Sequence, residues 1–305
     1  MAEFTAKDVM SLRERTGAGM MDCKKALTEA EGDMDKAIDL LREKGLATAA
    51  KKAGRVAAEG LIGMAFAADG ASAAMVEINS ETDFVAKNPE FVAFVEGVSA
   101  AALNGEYADV EALKNAPYGE EGTVGEKLTA LIAKIGENMN IRRFVRYEGN
   151  LIGYVHGEGR IGVMVKFNVG NEAVCANEEF VAYAKNVAMQ IAAINPAFLK
   201  REEVPSEVVE KEKEILMAQA INEGKPAAIA EKMVAGRIQK YYKENCLVEQ
   251  EYVKNPDQTV KAYTEEVAKS LGTTIEIECF ARLERGEGLE KKEENFADEV
   301  ANMMK

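Results

Sequence analysis

Met75-Val76-Glu77-Ile78-Asn79 and Met164-Val165-Lys166-Phe167-Asn168 are one five-residue pattern written twice. The match extends outward from them. Leu61-Ile62-Gly63 recurs as Leu151-Ile152-Gly153, and Asn88-Pro89-Glu90-Phe91-Val92-Ala93 recurs as Asn177-Glu178-Glu179-Phe180-Val181-Ala182. The spacing is about 90 residues, one residue wider before the hairpin than after it, and repetition of this kind marks a duplicated structural unit. In the first copy, apolar runs at 61–68 and 73–79 flank Asp69-Gly70, which signals two strands and a tight turn. A helix follows at 89–103. A second helix at 123–137 carries Leu128, Leu131, Ile132 and Ile135 on one side, and a strand at 140–148 closes the copy. The expected fold class is α+β, with a duplicated core of two antiparallel-sheet subdomains.

The second copy is longer because residues 205–245 interrupt it. Pro205 opens a helix carrying Val208, Val209, Ile215 and Leu216. Asn222-Glu223-Gly224-Lys225-Pro226 turns the chain, and Ile229, Met233, Ile238 and Tyr241 line the return, giving an antiparallel helical hairpin. A helix at 260–271 and a strand at 273–285 complete this copy. Residues 1–55 follow a different period. Thr5 caps a first helix that Gly17 and Gly19 end, and a second helix runs from 21 to 30. Asp33 caps a third, with Ala37, Ile38 and Leu41 inward and Gly45 as its stop. Lys51, Lys52, Gly54 and Arg55 then read as a polar linker. The expected division is a three-helix unit at 1–55, core subdomains at 56–145 and 146–285, and a C-terminal helical module at 286–305. The helix of that module, at 293–304, carries Phe296 and Val300.

Composition excludes several function classes. With 38 basic against 52 acidic side chains the net charge is −14, a field that repels phosphate backbones and disfavours broad nucleic-acid binding. The first 55 residues are close to neutral, so the N-terminal unit is electrically distinct from the acidic remainder. Cys23, Cys175, Cys246 and Cys279 lie far apart with no CxxC pair, so neither a zinc ribbon nor a dithiol site is readable. No signal-peptide pattern is seen, and a reducing cytoplasm is the expected compartment. No apolar run approaches the ~20 residues that span a bilayer. The single histidine, His156, rules out a multi-histidine metal or catalytic centre by count. Gly157-Glu158-Gly159-Arg160-Ile161-Gly162 has dinucleotide-loop spacing, but such a loop must open a helix, and the strand-like Val163–Phe167 follows. These glycines turn a hairpin.

Thr82-Asp83-Phe84-Val85 lies between a strand and a helix, where binding residues commonly sit. The second copy has Asn171-Glu172-Ala173-Val174 there and so lacks the aromatic ring. An exposed ring beside a carboxylate is a binding anchor; the competing expectation is that Phe84 fills a gap in the local core. Lys24, Lys25, Lys51, Lys52 and Arg55 give the N-terminal unit a basic side, which is either solvated or set against an acidic partner. Glu77, Glu81 and Asp83 cluster in sequence, but no nucleophile, base or metal set accompanies them. A carboxylate-based enzyme is therefore one rival reading, and an RNA-associated adaptor using the bundle and the helical arm is another. The arm itself reads as a projecting contact, including self-association, or as an insertion with no partner.

Arg13-Glu14-Arg15-Thr16-Gly17-Ala18-Gly19-Met20-Met21-Asp22-Cys23-Lys24 and Thr82-Asp83-Phe84-Val85-Ala86-Lys87-Asn88 closely resemble the bacterial translation elongation factor Ts (EF-Ts) family. So do Ile135-Gly136-Glu137-Asn138, His156-Gly157 with Arg160-Ile161-Gly162-Val163, and Gly286-Glu287-Gly288. The resemblance covers essentially the whole chain. It implies a guanine-nucleotide exchange factor for elongation factor Tu (EF-Tu), not an enzyme, with no cofactor or metal of its own and neither nucleic acid nor membrane as partner. It implies that the N-terminal bundle is ubiquitin-associated-like and docks on the GTPase domain of EF-Tu, whether GDP-bound or nucleotide-free. It places Thr82, Asp83, Phe84 and Val85 beside the partner's nucleotide, with Phe84 wedged near the magnesium site so that the ion is lost and GDP leaves. Arg13, Met20, Met21, Lys24 and Lys52 would contact the GTPase domain. Ile135, Gly136 and His156 would join the core contact surface, and Tyr252 and Val253 would lie near the third domain of EF-Tu.

Overall fold

In the computed structural model, which describes residues 4–120 and 122–289, the chain opens with three helices: α1 (Ala6–Thr16), α2 (Met20–Glu29) and α3 (Met34–Lys52). Thr5 and Asp8 form a reciprocal capping box at the start of α1, and Gly17 ends it in the left-handed region at φ +66°. Asp33 caps α3 by accepting from the Asp35 and Lys36 amides. Val9, Leu12, Cys23, Leu27 and Ala37 form a small core between them. Gly45 does not stop α3, contrary to the sequence expectation. The helix continues to Lys52, and Gly45 lies buried in it against α7 (Val124–Ile135), where a methyl would meet Thr129 Cγ2 at 3.6 Å and Ala133 Cβ at 3.8 Å. Tertiary packing outweighs the roughly 1 kcal/mol by which glycine disfavours a helix. Lys51 and Lys52 are thus the last turn of a helix, where cations suit the dipole.

The first core copy comprises β1 (Glu59–Phe66), β2 (Ser72–Ser80), the single turn α4 (Asp83–Ala86), α5 (Pro89–Leu103), α6 (Val110–Lys114), α7 and β3 (Met139–Glu148). The second comprises β4 (Asn150–His156), β5 (Ile161–Val169), a 3-10 turn (Glu172–Ala176) and α8 (Glu178–Ile194). The arm α9 (Ser206–Asn222) and α10 (Ala227–Asn245) follows, then the short ribbon β6 (Glu251–Tyr252) and β7 (Asn255–Thr259), α11 (Val260–Ser270) and β8 (Ile275–Glu284). The sheets are antiparallel with orders β1-β2-β3 and β4-β5-β8. Phe91, Phe94 and Val98 cover Ala74, Val76 and Ile78 on one face of the first sheet; Phe180, Tyr183 and Val187 cover Val163, Val165 and Phe167 on the second. The remaining faces meet each other through Ile62, Met75, Met164 and Leu283. Gly162 lets them close, since a Cβ there would stand 2.4 Å from Ile62 Cγ2. The helix at 293–304 expected from the sequence lies outside the described residues.

The ladders correct the repeat. Ile62 pairs with Glu77, and Leu151 pairs with Lys166. Since Glu77 and Lys166 occupy matching places, Ile62 corresponds to Leu151, and the Leu-Ile-Gly match is one residue out of register. A one-residue shift reverses the faces of a strand. Ile62 and Leu151 accordingly both face the opposite sheet, whereas Gly63 lies under Val95 of α5 and its true counterpart Ile152 packs towards the second helical layer. One spacing therefore holds from β1 through α5. Even the irregularities repeat: the register shifts after Glu77, with Arg142 as the extra residue, and after Lys166, with Glu278 as the extra residue.

Candidate functional site

Leaving β2, the chain makes the single turn α4 before entering α5. The Thr82 hydroxyl caps that turn, accepting from the Val85 amide at 3.4 Å. Val85 and Ala86 point into the first core, while Phe84 is 81% exposed. Successive side chains on a helical turn point about 100° apart, so burial of Val85 and Ala86 leaves the Phe84 ring facing outward. In the second copy Asn171 caps the matching turn by accepting from the Ala173 amide, Val174 is buried and Ala173 is exposed. The turn therefore forms without a ring, and Phe84 fills no core gap. Asp83 accepts from Lys87 Nζ at 3.0 Å, and that bond and charge hold its carboxyl below the ordinary aspartate range.

The turn is held from outside by the corner that follows α7. Glu137 accepts from the Thr82 amide at 3.0 Å and from the Thr82 hydroxyl at 2.8 Å. Next to it, the Asn138 amide donates to Glu81 at 2.5 Å, and its side chain donates to the Arg55 carbonyl at 2.7 Å. Lys52 donates to the Gly136 carbonyl, and Gly136 takes φ +86°, the left-handed geometry that reverses the chain after α7. The end of α3, the segment after it and the Phe84 turn thus meet on one three-residue corner, Gly136 to Asn138. Sequence reasoning singled out Ile135 and Gly136 there but gave Glu137 no role. Its partner lies far away in sequence, and only the fold brings them together.

The other expected residues are dispersed. Arg13, Met20, Met21 and Lys24 are exposed on α1 and α2, Lys52 is half-buried against the corner, and Ile135 is half-buried on the first core. His156 ends β4 exposed, its Nδ1 sharing a hydrogen bond with the Tyr154 hydroxyl at 2.8 Å. The GxGxxG spacing is indeed the β4–β5 turn, and the Gly159 carbonyl accepts from the Ile62 amide of the other copy at 2.8 Å. Tyr252 differs from its neighbour Val253 in exposure. It is buried and stacked on Tyr263 with ring centroids 4.5 Å apart, so its apolar ring belongs to the core and Val253 is the exposed member of the pair.

The clustered carboxylates form no acid–base pair. Glu77 is fully buried between the sheets, bridged by Arg142 Nη1 at 3.0 Å and Arg143 Nε at 2.5 Å, and it accepts from the Gly286 amide at 2.8 Å. Glu81 is engaged by Asn138 and Arg55, and Asp83 by Lys87. Among the described residues no three His, Cys, Asp or Glu side chains converge as a metal site, and no helix is long and apolar enough to cross a membrane.

The family model described as Elongation factor TS matches residues 81–287, which includes the Phe84 turn and the corner after α7. The chain belongs to the elongation factor Ts family. It is 54% identical over 304 residues to an elongation factor Ts of Clostridium botulinum (strain Eklund 17B / Type B), covering 99% of each chain. It is 55% identical over 305 residues to one from Clostridium novyi (strain NT), covering 98% of each, and 52% identical over 307 residues to one from Clostridioides difficile (strain 630), covering both in full. The span that this elongation factor Ts model matches runs from α4 through β8 and so takes in the second core copy with its arm and the first copy after β2.

Proposed function

We propose that this chain is a guanine-nucleotide exchange factor that binds EF-Tu·GDP and promotes GDP release during translation elongation by disturbing the magnesium and phosphate site. Membership of the elongation factor Ts family supports exchange on EF-Tu. The observation that carries the finer reading is Phe84, a large apolar side chain 81% exposed on a turn fixed from below by Val85 and Ala86 and from the side by Glu137. A ring presented at low entropic cost is suited to insertion into a partner. The exposed Met20 and Met21, with Arg13 and Lys24, provide a second contact area on the bundle.

The physics is coupling between two ligands on one partner. GDP is held by backbone amides and a magnesium ion. A protein that binds best when that cradle is distorted weakens GDP, and GDP weakens the protein by the same factor. Incoming GTP then displaces the exchange factor. No covalent bond changes, so the chain needs neither nucleophile nor acid–base pair, in keeping with carboxylates that are committed to structural partners. Release of fluorescent GDP from EF-Tu in excess unlabelled nucleotide tests the reading. Catalytic amounts of the protein are expected to accelerate release, and an unchanged rate would remove the proposal.

A further inference from the structure

Among the described residues Phe84 makes no ring–ring contact and its side chain is 81% exposed, so its direction is set by the turn that carries it. That turn is weak by itself. Its internal amide bonds are long: Val85 to the Thr82 hydroxyl at 3.4 Å, Ala86 to the Thr82 carbonyl at 3.4 Å and Lys87 to the Asp83 carbonyl at 3.3 Å. One isolated helical turn does not hold its shape in water. The Glu137 carboxylate supplies two shorter, charge-assisted bonds, to the Thr82 amide and the Thr82 hydroxyl. The duplication adds an independent comparison. Ser80 pairs with Met139 and Val169 pairs with Ile275, so the place of Glu137 in the first copy is taken by Thr273 in the second, and Gly136 corresponds to Gly272, both with positive φ. The copy that carries the ring carries the carboxylate clamp. The copy with Ala173 instead of the ring has Thr273 instead of the carboxylate.

We infer that Glu137 is the positioning residue for Phe84: it holds the 82–85 turn so that the ring is presented ready-made to the partner. The inference rests on the proposed exchange function. Glu137 also sits beside Gly136 and Asn138, which receive Lys52 and reach Arg55, so the end of α3 and the ring share one support. The clamp acts on release of nucleotide more than on encounter, because other surfaces contribute to encounter.

The test is a mutant cycle read by GDP release from EF-Tu. Glu137→Ala is expected to lower the maximal exchange rate about 10- to 100-fold, the scale of misplacing a reacting group by about 1 Å, with KM for EF-Tu little changed. Glu137→Gln should recover most of the rate, since its amide oxygen accepts the Thr82 N–H and its amide nitrogen donates to the Thr82 hydroxyl oxygen. Introduced into Phe84→Ala, E137A should have no further effect, because a clamp with no ring to hold has nothing left to do. Equal slowing on both backgrounds, or no slowing in the wild-type background, would overturn the inference. If E137A fails to fold, Thr82→Val removes one donor to the same carboxylate and should show the same dependence on Phe84. Amide hydrogen exchange at Thr82–Val85 separates the two levels of the argument. If wild type does not stimulate exchange, the proposed function fails; loss of Thr82 protection in E137A then still supports the clamp, and unchanged protection overturns it.

Discussion

Replacing Phe84 by alanine separates folding from function. The side chain is 81% exposed, and the second copy already builds the same turn with an alanine in its place. Stability should therefore change by no more than about 0.5 kcal/mol, as at other surface sites. The loss on binding is far larger. About 150 Å² of aromatic surface removed from water at about 25 cal/mol/Å² gives about 4 kcal/mol. The alanine methyl and incomplete burial recover part of this, leaving about 2 to 3 kcal/mol, within the range of interface hot spots. That corresponds to a fall of about 30- to 150-fold in the rate constant for partner-limited exchange. Stopped-flow release of fluorescent GDP from EF-Tu, run beside a thermal melt of the variant, measures both quantities. Equal exchange by wild type and Phe84→Ala would refute the role given to the ring. A large drop in melting temperature would refute the claim that the turn forms without it.

Two further outcomes follow from the ion pairs. Glu77→Ala leaves Arg142 and Arg143 beside a buried gap; breaking a buried pair costs about 3 to 5 kcal/mol, and the part exposure of both arginines sets the expectation near about 3. A urea midpoint shift worth less than about 1 kcal/mol would contradict that assignment. Glu249 is held below its ordinary value by hydrogen bonds from Arg201, whose Nε and Nη2 donate at 2.6 Å each. Because the folded value is depressed, the pair contributes fully above the unfolded value near 4.5 and is lost as pH falls through the lower folded one. Melting curves of wild type and Arg201→Gln should thus differ at neutral pH and converge in acid, and a constant offset would exclude the linkage.

Much of this architecture can be read from local chemistry. Thr5, Asp33 and Thr123 mark helix starts because capping is a short-range event, and each caps the helix it precedes. Gly45 misleads because its effect is decided by α7, far along the chain. The Leu-Ile-Gly match misleads for a related reason: identity of three residues says nothing of strand register, which the ladder partners Glu77 and Lys166 determine. Phe84 is legible as a candidate because its counterpart is alanine, although exposure had to come from the fold. Glu137 was not legible, since its worth lies in reaching a residue in another segment. The burial of Tyr252 was not legible either, since the ring it stacks on, Tyr263, lies on α11 beyond the ribbon.

The two bulges have a consequence for how the chain finds its own topology. A duplicated sequence risks joining the wrong halves, with β2 adopting β8 or β5 adopting β3 as neighbour. At the matching bulges the signs are reversed: Glu77 faces Arg142 and Arg143, whereas Lys166 faces Glu278 at 2.7 Å. A crossed pairing would set Glu77 against Glu278 and Lys166 against two arginines, like charges at the centre of each sheet. The duplication thus carries a charge key that admits each third strand to its own half. A chain with Lys166→Glu and Glu278→Arg would lose that key, and its refolding yield should fall even though a reversed ion pair could form at the same place; an unchanged yield would show that chain connectivity alone sorts the strands.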